Sequence, residues 1–303
     1  MEKISFRAMG TEIEIAVIPN GFQAASTVSD QLQLARAELV RLESMLSRFV
    51  PTSDVSRVNE RPDTWVDVHP ETAAVLALAK RGYEVSDGLF HPCLGGWMVA
   101  HGYQRSFDLG LDAPHLDMPD TPPALPDSLG FELSGVNIRL RSGYALDLGG
   151  IAKGWVMERI ADLLRGFGYA DFVCSAGGDM VCAGTNGEAP WNIGIADPLG
   201  RTSHVCTVQL TALALATSGT YRRRWTVGET TCHHILDPRT GAPSDTDLAS
   251  VSVIHQSLVV AEVLAKTALI LGRASGVEWL SAQTQRGWVV VTREGEVHHA
   301  WNS

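Results

Sequence analysis

Residues 147–154 read Asp-Leu-Gly-Gly-Ile-Ala-Lys-Gly, with three glycines, a carboxylate and a lysine in eight positions. Glycine lets a main chain approach a ligand closely. A helix N-terminus adds unpaired N–H donors and a partial positive charge, and the apolar-periodic run from Trp155 to Leu164 predicts such a helix. Lys153 adds a full charge. The chemistry this combination suits is the binding of a phosphate-bearing ligand. The plainer alternative is a tight turn before a helix, with Asp147 as its cap and Lys153 in solvent.

Other polar clusters interrupt apolar sequence. Ser86-Asp87-Gly88-Leu89-Phe90-His91-Pro92 follows a helical pattern, and Cys174-Ser175-Ala176-Gly177-Gly178-Asp179 breaks a strand-like one. Ala216-Thr217-Ser218-Gly219 precedes Arg222-Arg223-Arg224, and His233-His234-Ile235-Leu236-Asp237-Pro238-Arg239-Thr240-Gly241 gathers imidazole, carboxylate and guanidinium around a turn. A histidine titrates near neutrality and can accept a proton from an attacking hydroxyl; it can equally be a hydrogen-bonded turn residue.

The elements that must position these groups follow from periodicity. Phe6 to Val17 reads as one strand with Met9-Gly10-Thr11 as a kink or bulge. Residues 23–47 and Pro70 to Val85 read as helices, the second with proline at its start. Strands are expected at Phe131–Leu140, Phe172–Ala183 (interrupted by Gly177-Gly178), Trp191–Ile195, Val205–Leu213 and Ser250–Ile254. A helix over Leu258–Leu271 ends at Gly272. A short helix and a hairpin, Trp288–Thr292 with Val297–Trp301, follow. Asp112 to Asp127 holds five of the fourteen prolines and reads as a surface excursion. Helices lie among strands without regular βαβ alternation, which favours α+β.

The 303 residues, 45% of them hydrophobic, suffice for a full core. No stretch reaches the roughly 20 apolar residues of a membrane span. The net charge of −10 argues against nucleic acid as a partner. The five cysteines are scattered without a C-x-x-C, which disfavours zinc and a disulfide framework. With no secretory leader in the sequence, the expected location is the cytoplasm.

In this order, the segments Met9-Gly10-Thr11, Leu46-Ser47-Arg48-Phe49, Asp147–Gly154, Gly177-Gly178-Asp179, Ala216–Gly219, His234–Gly241 and the 258–272 helix resemble the ApbE family of flavin transferases. The resemblance spans nearly the whole chain. It implies a single domain over 1–303, a compact T-fold-like α+β architecture of mixed or antiparallel sheets flanked by helices, and FAD:protein FMN transferase activity. In that reaction FMN passes from FAD to a Thr or Ser hydroxyl on a target protein, AMP leaves, and Mg2+ assists. The resemblance further implies FAD contacts from Met9, Gly10, Thr11, Leu89, Phe90, His91, Asp147, Gly149, Gly150, Lys153, Gly177, Gly178, Asp179, Thr217, Ser218, Gly219 and Ile235. For catalysis it implies His234, with Lys153 and Asp237; the register to Asp237-Pro238 selects His234 over His233. Alternatives are an FAD pyrophosphatase giving FMN and AMP, and a non-catalytic flavin binder.

The metal positions implied are Gly150, Glu262, Ala265 and Lys266. Here the chain departs from the family pattern, which has Asp at 262 and Thr at 266. A protonated lysine offers donors and no lone pair, so it cannot ligate a metal. Two expectations follow: an ordinary Glu262–Lys266 helix pair, or an ammonium standing where the cation would sit. His91 replaces a family Asp, and His101-Gly102-Tyr103 stands where Trp-Gly-Phe is usual. Both changes make the site less hospitable to a divalent ion.

Overall fold

The computed structural model describes residues 1–19, 21, 24–104, 123–227, 230–284 and 286–301. Its elements run β1 (Glu2–Ala8), β2 (Thr11–Val17), α1 (Ala25–Leu46), α2 (Asp54–Asn59), β3 (Trp65–Asp67), α3 (Pro70–Val85), α4 (Gly95–Ala100), β4 (Phe131–Ser134), β5 (Asn137–Leu140) and α5 (Ala152–Gly166). They continue with β6 (Phe172–Ala176), β7 (Asp179–Ala183), β8 (Trp191–Ala196), β9 (His204–Leu210), β10 (Ala214–Gly219), β11 (Arg224–Val227), β12 (Thr230–His233), β13 (Leu248–His255), α6 (Leu258–Gln283), β14 (Gly287–Thr292) and β15 (Val297–Trp301). The fold is α+β. Most of the Pro-rich stretch expected over 112–127 lies outside the described residues.

Eight strands form one sheet in the order β1-β2-β6-β7-β10-β13-β14-β15, with every neighbouring pair antiparallel. Alternation assigns its two faces. Ala214, Ala216, Val251, Val253 and Val290 face the main core beneath α1, α5 and α6. Leu215, Ile254 and Val289 face the opposite way, where the β8–β9 hairpin covers them with Trp191, Ile195, Val208 and Leu210. Because both faces of β13 are covered, seven of its eight residues are buried. A β3-β5-β4 sheet and the β11–β12 hairpin complete the structure.

Several expected elements divide at turns. Met9-Gly10 is a two-residue hairpin turn between β1 and β2, not a kink within one strand. Both residues have positive φ, 54° and 69°, as the tightest right-twisted hairpins require. Phe131–Leu140 likewise splits into β4 and β5 at Gly135, and Gly177-Gly178 joins β6 to β7 as a hairpin. The helix expected to end at Gly272 breaks there (φ 77°, ψ 176°), and the next helical segment follows without a gap.

A polar anchor joins α2 to α3. Asp54 is 1% exposed, and its carboxylate accepts hydrogen bonds from Thr72 Oγ1 at 2.6 Å and His69 N at 2.8 Å and pairs with Arg57. Burial alone would raise the Asp54 pKa, but these partners hold it below its ordinary value. The resulting stability is present above the unfolded carboxyl pKa of about 3.9 and is lost as pH falls through the lower folded value. Asp54→Asn should therefore cost about 1–3 kcal/mol at pH 7, with the gap from wild type narrowing by pH 3. Urea unfolding at both pH values checks this; a gap unchanged at pH 3 would contradict it.

Candidate functional site

The Met9-Gly10 and Gly177-Gly178 turns, the C-terminal half of β10 and the start of α5 meet at one end of the large sheet. Together they wall a cavity of about 800 Å3, in the upper part of the range for small-molecule sites. The Met9 amide donates to Glu43 at 2.6 Å, which holds the residue in its left-handed conformation. Thr11, Gly177, Gly178 and Asp179 line the same wall, as do Thr217, Ser218 and Gly219. Leu89, Phe90 and His91 enter from the loop after α3, and Ile235 from the segment after β12.

Four elements are joined by a buried ionic cluster. Lys153, in the first turn of α5, places its ammonium between Asp179 of β7 and Glu262 of α6. Asp179 Oδ1 accepts the Thr217 amide of β10 at 2.9 Å, and Glu262 Oε2 accepts the Gly154 amide at 2.9 Å. Burial would lower the Lys153 pKa, but the two carboxylates raise it above the ordinary lysine value. Burial raises Glu262, with Lys153 opposing. The charge the sequence offers to a ligand at Lys153 is thus already engaged by protein.

Lys266 is placed differently from the ordinary helix pair with Glu262. Its Nζ makes no hydrogen bond or salt bridge to any described residue, and it lies 5.4 Å from the centre of the Phe90 ring. It also packs so closely on Gly150 that a Cβ there would collide with the ammonium. Burial lowers its pKa to about 8, with Glu262 opposing.

Asp147 is gripped by Arg48 Nε at 2.7 Å and by the Gly149 amide at 2.8 Å. Burial would raise its pKa, and the Arg48 charge and these bonds hold it low. Arg48 lies over Phe49 and Tyr103 and donates to the Tyr103 carbonyl at 2.6 Å. His91 reaches the wall with both ring nitrogens occupied: Nδ1 accepts the Cys93 amide at 3.1 Å and Nε2 donates to the Ser128 carbonyl at 2.9 Å.

His234 lines the cavity, with Nδ1 buried and without a partner among the described residues. Burial, reinforced by the charges of Arg223 and Lys266, pushes its pKa well below 6.5, so the ring is neutral at pH 7. His233 is buried off the cavity wall, with its Nδ1 accepting the Ile235 amide at 3.3 Å.

Two expected residues are not on the cavity wall. The Asp237 carboxylate is occupied by Arg239, through N at 2.9 Å and Nη2 at 2.7 Å, and its carbonyl accepts the Gly241 amide. It therefore shapes the turn after His234. Ala265 is fully buried within α6. Glu43 borders the site without having been singled out from sequence, and Arg48 and Arg223, which lie in segments quoted from sequence, border it without having been given a role there.

The residues present do not fit a divalent ion. Both Glu262 oxygens have partners, Lys266 has no lone pair to give, and no group of three or more His, Cys, Asp or Glu among the described residues could hold a metal. No helix among the described residues is long and apolar enough to cross a membrane.

Residues 9–290 match the ApbE family. A relative from Treponema pallidum, named FAD:protein FMN transferase, is 30% identical over 66% of this chain and 59% of its own length. A relative of the same name from Haemophilus influenzae is 24% identical over 91% of this chain and 82% of its own length. The chain thus spans about three fifths of the Treponema protein and four fifths of the Haemophilus one. The crystal structure of an ApbE protein from Thermotoga maritima superposes with a TM-score of 0.84 at 25% identity, covering 99% of this chain and 96% of that one.

Gly154 tests the ionic cluster. A Cβ there would lie 2.6 Å from Glu262 Oε2 and 3.1 Å from the Val259 amide nitrogen. Gly154→Ala should destabilise the protein by about 1–3 kcal/mol. An unchanged urea midpoint would show that Glu262 is not held against this amide.

Proposed function

The chain belongs to the ApbE family, and on that premise we propose that it transfers the FMN half of FAD to a Thr or Ser hydroxyl of a target protein, releasing AMP. The observation that carries this reading is the neutral His234 imidazole, without a partner at Nδ1 among the described residues, sharing one cavity with the Lys266 ammonium and the glycine segment. The names of the Treponema and Haemophilus relatives support it.

The acceptor hydroxyl gives its proton to His234 as its oxygen attacks the FMN-side phosphorus. A new P–O bond forms, the bond to the bridging pyrophosphate oxygen breaks, and AMP leaves with that electron pair. Catalysis of this kind rests on positioning and on fixed charge more than on covalent chemistry by the protein. Leu89, Phe90 and Ile235 give the flavin and adenine rings apolar wall to lie on. The two hairpin turns bring backbone close to the polar middle of the dinucleotide. Asp237 acts by shaping the turn that presents His234, and Lys153 by fixing Asp179 and Glu262. Magnesium has no step in this reading, because the four positions implied for it do not form a ligand set.

We read residues 1–303 as one domain, a reading supported by two hydrophobic clusters that share one sheet. A reducing compartment, the cytoplasm, fits five cysteines none of which is paired.

Incubation with FAD and a threonine-bearing acceptor domain should yield AMP and flavin-labelled acceptor. His234→Ala should slow labelling by about 10²–10⁴-fold while leaving FAD affinity within a few-fold. Mass spectrometry of the acceptor and chromatography of nucleotides read both. AMP with free FMN would replace transfer by hydrolysis, intact bound FAD would mean binding without catalysis, and a His234→Ala rate within tenfold of wild type would remove the base.

A further inference from the structure

We propose that the Lys266 ammonium takes the place of the divalent cation that the family implies, receiving the pyrophosphate directly so that FAD binding and turnover need no added metal. The proposal rests on the FAD reading above for the identity of the ligand.

Lys266 differs from the other cationic side chains whose partners are seen at the cavity wall. Lys153 sits between two carboxylates, Arg48 holds Asp147, and Arg222 donates to the Gly177 carbonyl at 2.6 Å. Lys266 has three donors and neither a hydrogen bond nor a salt bridge to a described residue, although it emerges from a helix whose surroundings are otherwise buried. Lys266 is only partly buried on the cavity wall, and the carboxylates of Glu262, Asp147 and Asp179 act on it through space without bonding it. An anionic ligand in this cavity would meet three N–H donors that no described residue engages.

Position supports the same assignment. Residues four apart on a helix lie side by side, so Lys266 occupies the helix face on which Glu262 reaches the glycine segment. Gly154 donates to Glu262, and Gly150 leaves just enough room for the Lys266 ammonium. A bound cation at this point would have to share space with a like charge and find ligands that are already engaged. In the transfer itself Lys266 gains and loses no atom. Its charge faces the phosphate oxygens as the bond to AMP breaks, and the departing electron pair stays with AMP.

The test uses the full chain stripped of metal by EDTA. Flavin fluorescence quenching should show FAD bound without metal, with Mg2+ changing the Kd less than twofold and raising AMP release less than twofold. Lys266→Met, which removes the charge and keeps the length, should weaken metal-free FAD binding at least tenfold. Wild-type binding or AMP release that depends on Mg2+ by tenfold or more would overturn the proposal, as would Lys266→Met binding FAD like wild type in EDTA. If circular dichroism shows Lys266→Met unfolded, the Mg2+ titration of wild type decides alone. Wild type that binds FAD in EDTA yet releases no AMP would defeat the transferase reading while leaving the binding arm to judge Lys266.

Discussion

The site depends on where the Lys153 charge goes. An ammonium in a protein interior must be paired or it is destabilising, and Lys153 resolves this by bridging β7 and α6 through Asp179 and Glu262. The two carboxylates in turn take main-chain amides, Thr217 for Asp179 and Gly154 for Glu262. One lysine thereby sets the distance between two helices and two strands. Remove any member and a buried charge or amide is left alone, which is why the cluster acts as a unit and not as four separate contacts.

That arrangement decides which groups remain for a ligand. Lys153 and Glu262 cancel much of each other's field, Arg48 and Asp147 do the same across the cavity, and His234 is neutral. With Asp179 counted, Lys153 and Lys266 stand against Asp179 and Glu262, so the polar floor is close to balanced, and Lys266 is the cation in that cluster that no described residue bonds. A site so arranged discriminates by position more than by net charge, which also explains how a chain of net charge −10 can offer a cradle for an anion.

Much of the architecture was legible from periodicity. Pro70–Val85 forms a helix with those same bounds, and the C-terminal hairpin pairs within a residue of the bounds expected. The errors have physical causes. Met9-Gly10 looked like a bulge because nothing local marks a methionine for the left-handed conformation; it is held there by Glu43, 34 residues away. No strand was expected over β10, since its Ala-Thr-Ser-Gly ending carries little β signal and it is extended by pairing with β13. The site divided in the same way. The clustering of its motifs was implied by the family resemblance that their order carries, but the partners of Lys153 lie 26 and 109 residues away, and no spacing rule reaches that far. Asp237 looked chemical for its neighbours, and its carboxylate is tied to Arg239 within the turn.

The substitution at 266 shows how one side chain can change a site's logic without disturbing its frame. A divalent ion needs several oxygen ligands with free lone pairs, and it can leave. A lysine needs only a glycine opposite to give it room, and its charge is covalently fixed. Both Glu262 oxygens are engaged, one by the Lys153 ammonium and the other by the Gly154 amide, so the residue completes the Lys153 cluster. Glutamate suits that task better than aspartate because the extra methylene lets one carboxylate span from α6 to both the Lys153 ammonium and the Gly154 amide. If Lys266 takes the cation's place as proposed, the two departures from the pattern the resemblance implies are a single change, with Lys266 facing the ligand and Glu262 securing the floor beneath it.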